Sequence, residues 1–274
     1  MCPPTHFEVS YAINPWMDVG IAVDRDLAER QWEGLADTYR RAGAAVEVLD
    51  AQPGLPDLVF TANLGIVDGE TFIPARMRHP ERRPEAAHAD RWFREHGWAV
   101  RTLGSEVVQE GAGDALPFGE KLVVGHGVRS DAAAYVELAP LVAAPMLAVE
   151  LANPRFYHLD IVFCPLDAGT ALLAAGALDA AGARLIARLV PDVIRLSDAE
   201  AAAFCANSVA VGRTVVMPAC PPRLERELSE RGFRPVIADV SEFLKAGGGP
   251  RCLTLALDVR LGREAAANGV ENGG

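Results

Sequence analysis

Asp160-Ile161-Val162-Phe163-Cys164-Pro165-Leu166-Asp167-Ala168-Gly169-Thr170-Ala171-Leu172-Leu173 reads as two short apolar strands around a glycine turn, with a helix expected near 178–189. Short apolar runs separated by Asp and Gly are the signal of a hairpin. Asp57-Leu58-Val59-Phe60 repeats the same Asp-apolar-Val-Phe opening, and its segment turns at Asp68-Gly69 before Thr71-Phe72-Ile73. Asp-Gly between apolar runs suits a two-residue hairpin loop. A helix follows at about 83–96, with Trp92 and Phe93 on its apolar side, and then a strand from Ala99 to Leu103.

The plan recurs outward from these two segments. Asp114 to Gly125 gives strand, glycine turn and strand, with a helix near 131–143. Ser208 to Met217 gives another hairpin, and Pro221-Pro222 opens a helix over 221–231. Toward the N-terminus, Phe7 to Ile13 alternates like a half-buried strand until Asn14-Pro15 stops it. Ala28, Trp32, Leu35 and Tyr39 share one face of a helix over 24–42, Gly43 ends it, and Val46 to Leu49 forms a strand. About five units of hairpin, helix and short strand recur at roughly 50 residues. Such a period predicts a closed ring of modules with strand ends gathered at one central cavity, rather than an open doubly wound sheet. No linker-like break divides the chain, so residues 1–262 read as one α/β domain and the small, polar stretch 263–274 as a frayed tail.

Composition bounds the partners. The chain has 274 residues and a formal net charge of −11. That acidity argues against nucleic acid or an anionic membrane as the main partner. No apolar run is long enough to span a bilayer, and the N-terminus lacks a signal-peptide pattern. Cys2, Cys164, Cys205, Cys220 and Cys252 are odd in number and form no Cys-x-x-Cys pair. Neither a disulfide framework nor a zinc site is expected, and a cytoplasmic location with free thiols fits.

The chemistry concentrates in a few places. Gly247-Gly248-Gly249-Pro250-Arg251-Cys252 leads into the apolar run Leu253 to Val259. A cysteine after such a loop, at the start of a strand, can be aimed at a substrate, although an inert core thiol fits the loop alone equally well. A nucleophilic cysteine needs a proton acceptor. His158 lies two residues before Asp160, and in extended chain the two project on one face; a structural ion pair would look the same. Glu110 precedes Gly111-Ala112-Gly113-Asp114, whose glycines let the backbone curl and aim the carboxylate inward. Asp57 is a third acidic position. One cysteine, one histidine and several carboxylates suit nucleophilic attack on a cationic carbon centre, since paired carboxylates clamp a guanidinium. The histidine precedes the cysteine, which disfavours a papain-like protease.

These residues resemble those of the guanidino-group-modifying enzymes: arginine deiminases, dimethylarginine dimethylaminohydrolases, arginine dihydrolases and amidinotransferases. The resemblance runs from Ile13-Asn14-Pro15-Trp16-Met17 through Phe60-Thr61-Ala62-Asn63, Glu110-Gly111-Ala112-Gly113-Asp114 and His158-Leu159-Asp160 to Gly247-Gly248-Gly249 and Cys252. It implies a five-bladed α/β propeller, the pentein fold, and a small-molecule substrate, L-arginine or an N-methylated arginine, with no cofactor or metal. Oligomerisation is compatible with it. By matching position, Cys252 resembles the nucleophile and His158 the general acid/base. Glu110 and Asp160 resemble the carboxylates around the guanidinium, with Glu110 counted in the catalytic set. Arg129 resembles the arginine that binds the α-carboxylate. Asp57, Asn14 and Phe60 fall at substrate-contacting positions.

Asn63 is the informative departure, because deiminases and dimethylarginine hydrolases carry aspartate there. A carboxylate cannot donate to the oxygen of a ureido group, whereas an amide can. Asparagine at this position, together with Asn14, resembles the arginine dihydrolases, which take arginine to ornithine, ammonia and CO2. Dihydrolase is therefore the favoured expectation, followed by methylarginine hydrolase, deiminase and amidinotransferase. An arginine-binding module that keeps the fold without catalysis is the alternative outside enzymes.

Overall fold

Asp24 caps the first helix, α1 (Arg25–Arg41), by accepting a hydrogen bond from Leu27 N at 3.0 Å. Asp26 in its first turn and Arg40 and Arg41 in its last complement the helix dipole. Its buried face carries Ala28, Leu35, Ala36 and Tyr39, which matches the helix expected from sequence.

The computed structural model describes residues 1–104 and 106–262, so the tail expected over 263–274 lies outside the described residues. After α1, one module is built four times: an antiparallel hairpin, a helix, and a third strand parallel to the second. The first has β1 (Gly65–Asp68), β2 (Thr71–Pro74), α2 (Arg83–Glu95) and β3 (Ala99–Val100). The second has β4 (Ala115–Phe118), β5 (Lys121–His126), α3 (Ala134–Leu138) and β6 (Met146–Glu150). The third has β7 (Phe163–Pro165), β8 (Thr170–Leu173), α4 (Ala180–Leu189) and β9 (Asp192–Arg195). Then α5 (Asp198–Ala202), held by a Ser197–Glu200 capping box, precedes β10 (Val209–Val211), β11 (Thr214–Met217), α6 (Pro222–Glu230) and β12 (Arg234–Ile237). A last turn of helix, α7 (Ser241–Leu244), leads to the glycine loop.

A tight turn precedes every hairpin, and these turns form the hub. Asn63 Nδ2 reaches Glu110 O at 3.4 Å, and Leu159 N donates to Asp114 Oδ1 at 3.0 Å. Asn207 Nδ2 donates to Asp160 O at 3.2 Å, and Cys252 N to Asn207 Oδ1 at 3.3 Å. Ala62 N donates to Cys252 O at 3.1 Å, which closes the circle. Five turns are thus joined head to tail, and the architecture is the α/β propeller expected from sequence.

The fifth module differs from the expected plan. Phe7–Ile13, Val46–Leu49 and Leu253–Val259 carry no strand ladder. Phe7 N turns back to Pro4 O, and the Phe7 ring stacks on Phe243 at 5.1 Å, so side-chain packing fixes this segment. Cys252 correspondingly sits in a turn, with Leu253 N donating to Gly249 O and Thr254 N to Arg251 O, rather than at the start of a strand. Asp57–Phe60 and Asp160–Val162 are also not strands; they lie in the 3-10 turns Pro56–Val59 and Leu159–Ile161 ahead of the hairpins. The helix expected near 131–143 is held to five residues: residues 132–133 form a turn ahead of it, and Pro140 has no N–H to continue it. The strand expected from Ala99 to Leu103 pairs over two residues only.

Candidate active site

Gly111 and Gly113 explain how two turns approach closely. Gly111 has φ +63°, and a Cβ there would lie 2.7 Å from Ala62 O. A Cβ at Gly113 would lie 2.3 Å from Asn63 Nδ2 and 3.4 Å from His158 Nδ1. Real Cβ atoms do not approach so closely, so the Gly-Ala-Gly run is what lets Asn63, Glu110 and His158 share one place.

Glu110 is the centre of the charged cluster. Its Oε2 accepts from His158 Nε2 at 2.7 Å and from Arg129 NH1 at 2.9 Å, while Oε1 accepts from Arg78 N at 2.9 Å. Burial opposes its ionisation, but the His158 hydrogen bond and the Arg129 charge outweigh that and hold it well below the usual carboxylate range. Arg129 also donates to Ile13 O at 2.9 Å and lies over the Tyr157 ring, 5.0 Å from its centroid. Asp114 is a scaffold: Oδ1 takes Leu159 N and Oδ2 takes Ser130 Oγ, and burial raises its carboxyl to about 6.

Across the hub, Cys252 Sγ lies 3.2 Å from Asp160 Oδ2 and 3.0 Å from Asn207 Nδ2. Burial, and then the Asp160 carboxylate, push the thiol well above its ordinary value. Without a cation the thiol keeps its proton and donates it to Asp160. The Asp160 carboxyl is itself raised, by burial first. Its Oδ1 is buried with no partner, and so is Asp57 Oδ1. Asp160 Oδ1 calls for a donor, and at the Asp57 carboxyl the only interacting hydroxyl among the described residues is that of Tyr11, itself buried with no other partner. A guanidinium has donors only, so it suits both.

The glycine loop is held from several sides. Tyr157 OH donates to Gly247 O at 2.7 Å, and Asn14 Nδ2 to Ala246 O at 3.0 Å. Asn14 Oδ1 accepts from Trp16 N at 2.9 Å, so a bond within its own segment fixes the amide whose NH2 end reaches the loop. Phe60 packs on Gly248, where a Cβ would lie 2.2 Å from the ring. Asn207 Oδ1 also accepts Gly249 N at 3.0 Å.

The structure therefore buries Cys252, His158, Glu110, Asp160, Asn63, Asp57, Arg129 and Phe60, with Asn14 partly buried at the loop. His158 and Asp160 meet through a turn, not along an extended strand; His158 is extended but Leu159–Ile161 is 3-10. Three residues escaped the sequence reading. Arg82 is buried and donates to Asn63 Oδ1 at 3.0 Å and to Asp57 O at 3.2 Å. Tyr157 adjoins His158 in sequence. Asn207 had a legible signal: Phe204-Cys205-Ala206-Asn207 repeats the Phe-x-Ala-Asn of Phe60-Thr61-Ala62-Asn63, each ahead of a hairpin.

Comparison with known proteins agrees with this geometry. The chain is 40% identical to the N(G),N(G)-dimethylarginine dimethylaminohydrolase of Mycobacterium tuberculosis, over 94% of this chain and 84% of that protein. It is 40% identical to the bifunctional arginine dihydrolase/ornithine cyclodeaminase AgrE of Nostoc, over 98% of this chain but only 39% of the longer protein. The crystal structure of the N-terminal domain of ArgZ, a cyanobacterial arginine dihydrolase, bound to substrate, superposes with a TM-score of 0.90 at 37% identity, covering 93% of this chain and 96% of that domain. Residues 14–259 match the family model described as eukaryotic N,N dimethylarginine dimethylhydrolase. With hub, clustered side chains and relatives in agreement, the chain belongs to the dimethylarginine dimethylhydrolase family of guanidino-group-modifying enzymes.

Proposed function

We propose that this protein is an arginine dihydrolase, a hydrolase that cleaves the guanidino C–N bonds of L-arginine through a covalent intermediate on Cys252. The observation that carries the reading is Asn63, an amide placed beside His158 and Glu110 where a carboxylate would otherwise stand. Arginine dihydrolase is also the printed activity of AgrE and ArgZ.

The chemistry follows from the contacts. Arrival of a guanidinium against Asp160 Oδ1 and Asp57 Oδ1 neutralises the charge that keeps the Cys252 thiol protonated. The thiol gives up its proton to His158, and the thiolate attacks the central carbon. His158 protonates the departing nitrogen, which leaves as ammonia, and a thiouronium remains on sulfur. Water loses a proton to His158, attacks the same carbon and expels the thiolate, giving a ureido group. In the second round ammonia leaves again, and the S-carbamoyl adduct is hydrolysed to the carbamate of ornithine, which loses CO2. Arginine and two waters thus give ornithine, two ammonia and CO2. Positioning and proton transfer supply the acceleration. Arg129 is assigned to the α-carboxylate, Glu110 to orienting His158, and Asn14 and Phe60 to holding the loop against the substrate. Among the described residues no helix is long and apolar enough to cross a membrane. With five free cysteines, we place the reaction in the cytoplasm.

The test is product analysis with L-arginine. Ornithine with two equivalents of ammonia is expected; citrulline as sole product overturns the dihydrolase reading in favour of a deiminase. A second reading rests on Asp57, whose orphaned Oδ1 would suit a methylated guanidinium. Dimethylarginine turned over to citrulline and dimethylamine, with arginine untouched, would establish it. Cys252→Ser is expected to bind arginine without turning it over; full turnover by that variant would end the catalytic reading.

A further inference from the structure

Glu85 is fully buried on α2 and grips one guanidinium. Arg82 Nε lies 3.0 Å from its Oε1 and 3.2 Å from its Oε2, and Arg82 NH2 lies 2.8 Å from Oε2. Arg82 NH1 is thereby aimed at Asn63, at 3.0 Å from the side-chain oxygen. A guanidinium only donates. Whatever Asn63 atom faces it must accept, so the amide oxygen is turned to Arg82 and the NH2 away from it.

The NH2 end then lies 3.4 Å from Glu110 O and 3.5 Å from His158 Nδ1. It too can only donate, so Nδ1 is the accepting nitrogen. On the other side of the ring, Nε2 meets Glu110 Oε2 at 2.7 Å, a carboxylate that can only accept. Both neighbours therefore demand the same form of the ring, with its proton on Nε2. Of the other carboxylates near His158, Asp114 is held by Leu159 N and Ser130 Oγ, and Asp160 accepts from Cys252 through Oδ2 while its Oδ1 has no protein partner.

We propose that Glu85 and Arg82 are a positioning pair that locks the Asn63 amide with its NH2 toward His158, keeping the imidazole in the Nε2–H form with an unprotonated Nδ1 for the hydrolytic half of each round. An amide turned the other way would present its oxygen to Nδ1. With acceptors on both edges the ring would hold two protons, and no lone pair would remain to take a proton from water. Thiouronium and S-carbamoyl hydrolysis would slow, and citrulline would dissociate before the second round. The consequence for partition rests on the dihydrolase reading; the ring's protonation does not.

Glu85→Gln removes the charge from the grip with little change of shape. For this variant, citrulline as a share of total citrulline plus ornithine is expected to rise at least about threefold. Denaturing mass spectrometry should show about twofold or more adduct on Cys252 at steady state. Nitrogen NMR of histidine-labelled protein should show His158 Nδ1 gaining a proton. Glu85→Asp, which keeps the charge, should restore part of the wild-type ratio. Should Glu85→Gln not fold, Glu85→Asp carries the test alone, with a smaller shift in the same direction. A merely structural role would lower the amount of active protein and leave the ratio and the nitrogen shifts of the folded fraction alone. That result overturns the lock. Wild-type protein giving citrulline only would overturn the dihydrolase reading instead, and the NMR comparison would still decide the lock.

Discussion

Asn207 holds Cys252 from both ends: its Nδ2 lies 3.0 Å from Cys252 Sγ, and its Oδ1 accepts from Cys252 N at 3.3 Å. The same oxygen accepts from Gly249 N, and the same nitrogen donates to Asp160 O. Asn207→Ala would leave buried backbone donors without an acceptor. Each such loss costs about 1–3 kcal/mol. We expect a lower melting temperature together with a fall of about tenfold or more in kcat. Asn207→Asp should keep the bonds from Gly249 N and Cys252 N, lose the one to Asp160 O and place a second carboxylate at the sulfur, so its kcat should fall with less loss of stability than in Asn207→Ala. Calorimetry and steady-state kinetics on the pair separate the two roles.

The Cys252 thiol is raised well above its ordinary value by burial and by Asp160. In the free protein its alkylation by iodoacetamide should be slow near neutral pH. The rate should climb about tenfold per pH unit, following the thiolate fraction, with no plateau at the ordinary thiol value. Guanidinium ion, by neutralising Asp160, should shift the curve to lower pH until it blocks access. A plateau near neutral pH in free protein would contradict the geometry.

Glu110→Gln breaks a buried contact with Arg129 and His158. Removing one member of a buried pair costs about 3–5 kcal/mol. The sign of the pH dependence follows from a carboxyl depressed below its ordinary value of 4.5. Its contribution is present above that value and is lost as the pH falls toward the depressed one. The stability gap between wild type and variant should therefore be constant at neutral and mildly acidic pH, and should narrow in stronger acid. Urea denaturation across that range measures it.

Gly248→Ala would place a Cβ 2.2 Å from the Phe60 ring, and Gly113→Ala one 2.3 Å from Asn63 Nδ2. Overpacking of this kind costs about 1–3 kcal/mol. Gly248→Ala should chiefly impair KM and kcat by moving the loop. Gly113→Ala, which presses on Asn63, should in addition raise the citrulline share. Equal effects of the two on product ratio would argue that Asn63 has no special part in the second round.

Where the sequence was readable, a local rule set the outcome. Asp24 and Gly43 mark α1, and Asp68-Gly69 marks the first hairpin, because capping and positive φ are local demands. The strands expected at Phe7–Ile13 and Leu253–Val259 failed because alternation signals an extended chain, not a ladder partner. The 3-10 turns ahead of the hairpins looked like strand because most of their residues are apolar. Cys252 and Glu110 were legible as reactive types beside glycines, and His158 and Asp160 by their two-residue spacing. Arg82 and Glu85 were not, since on a helix of mixed charges a buried pair and a solvated one read alike.

The clasp around the glycine loop has a consequence for biosynthesis. Asn14 binds Ala246 O, Gln31 binds Ser241 Oγ and Glu242 N, and Tyr39 binds Pro250 O. Nascent chains emerge N-terminus first. Segments made at the outset therefore wait, with their partners unmade, through the synthesis of four complete modules. Only when residues beyond Ser241 clear the ribosome can the circle shut, and the same event delivers Cys252 to Asp160 and Asn207. A product truncated before that point thus has neither a closed ring nor Cys252 seated against Asp160 and Asn207.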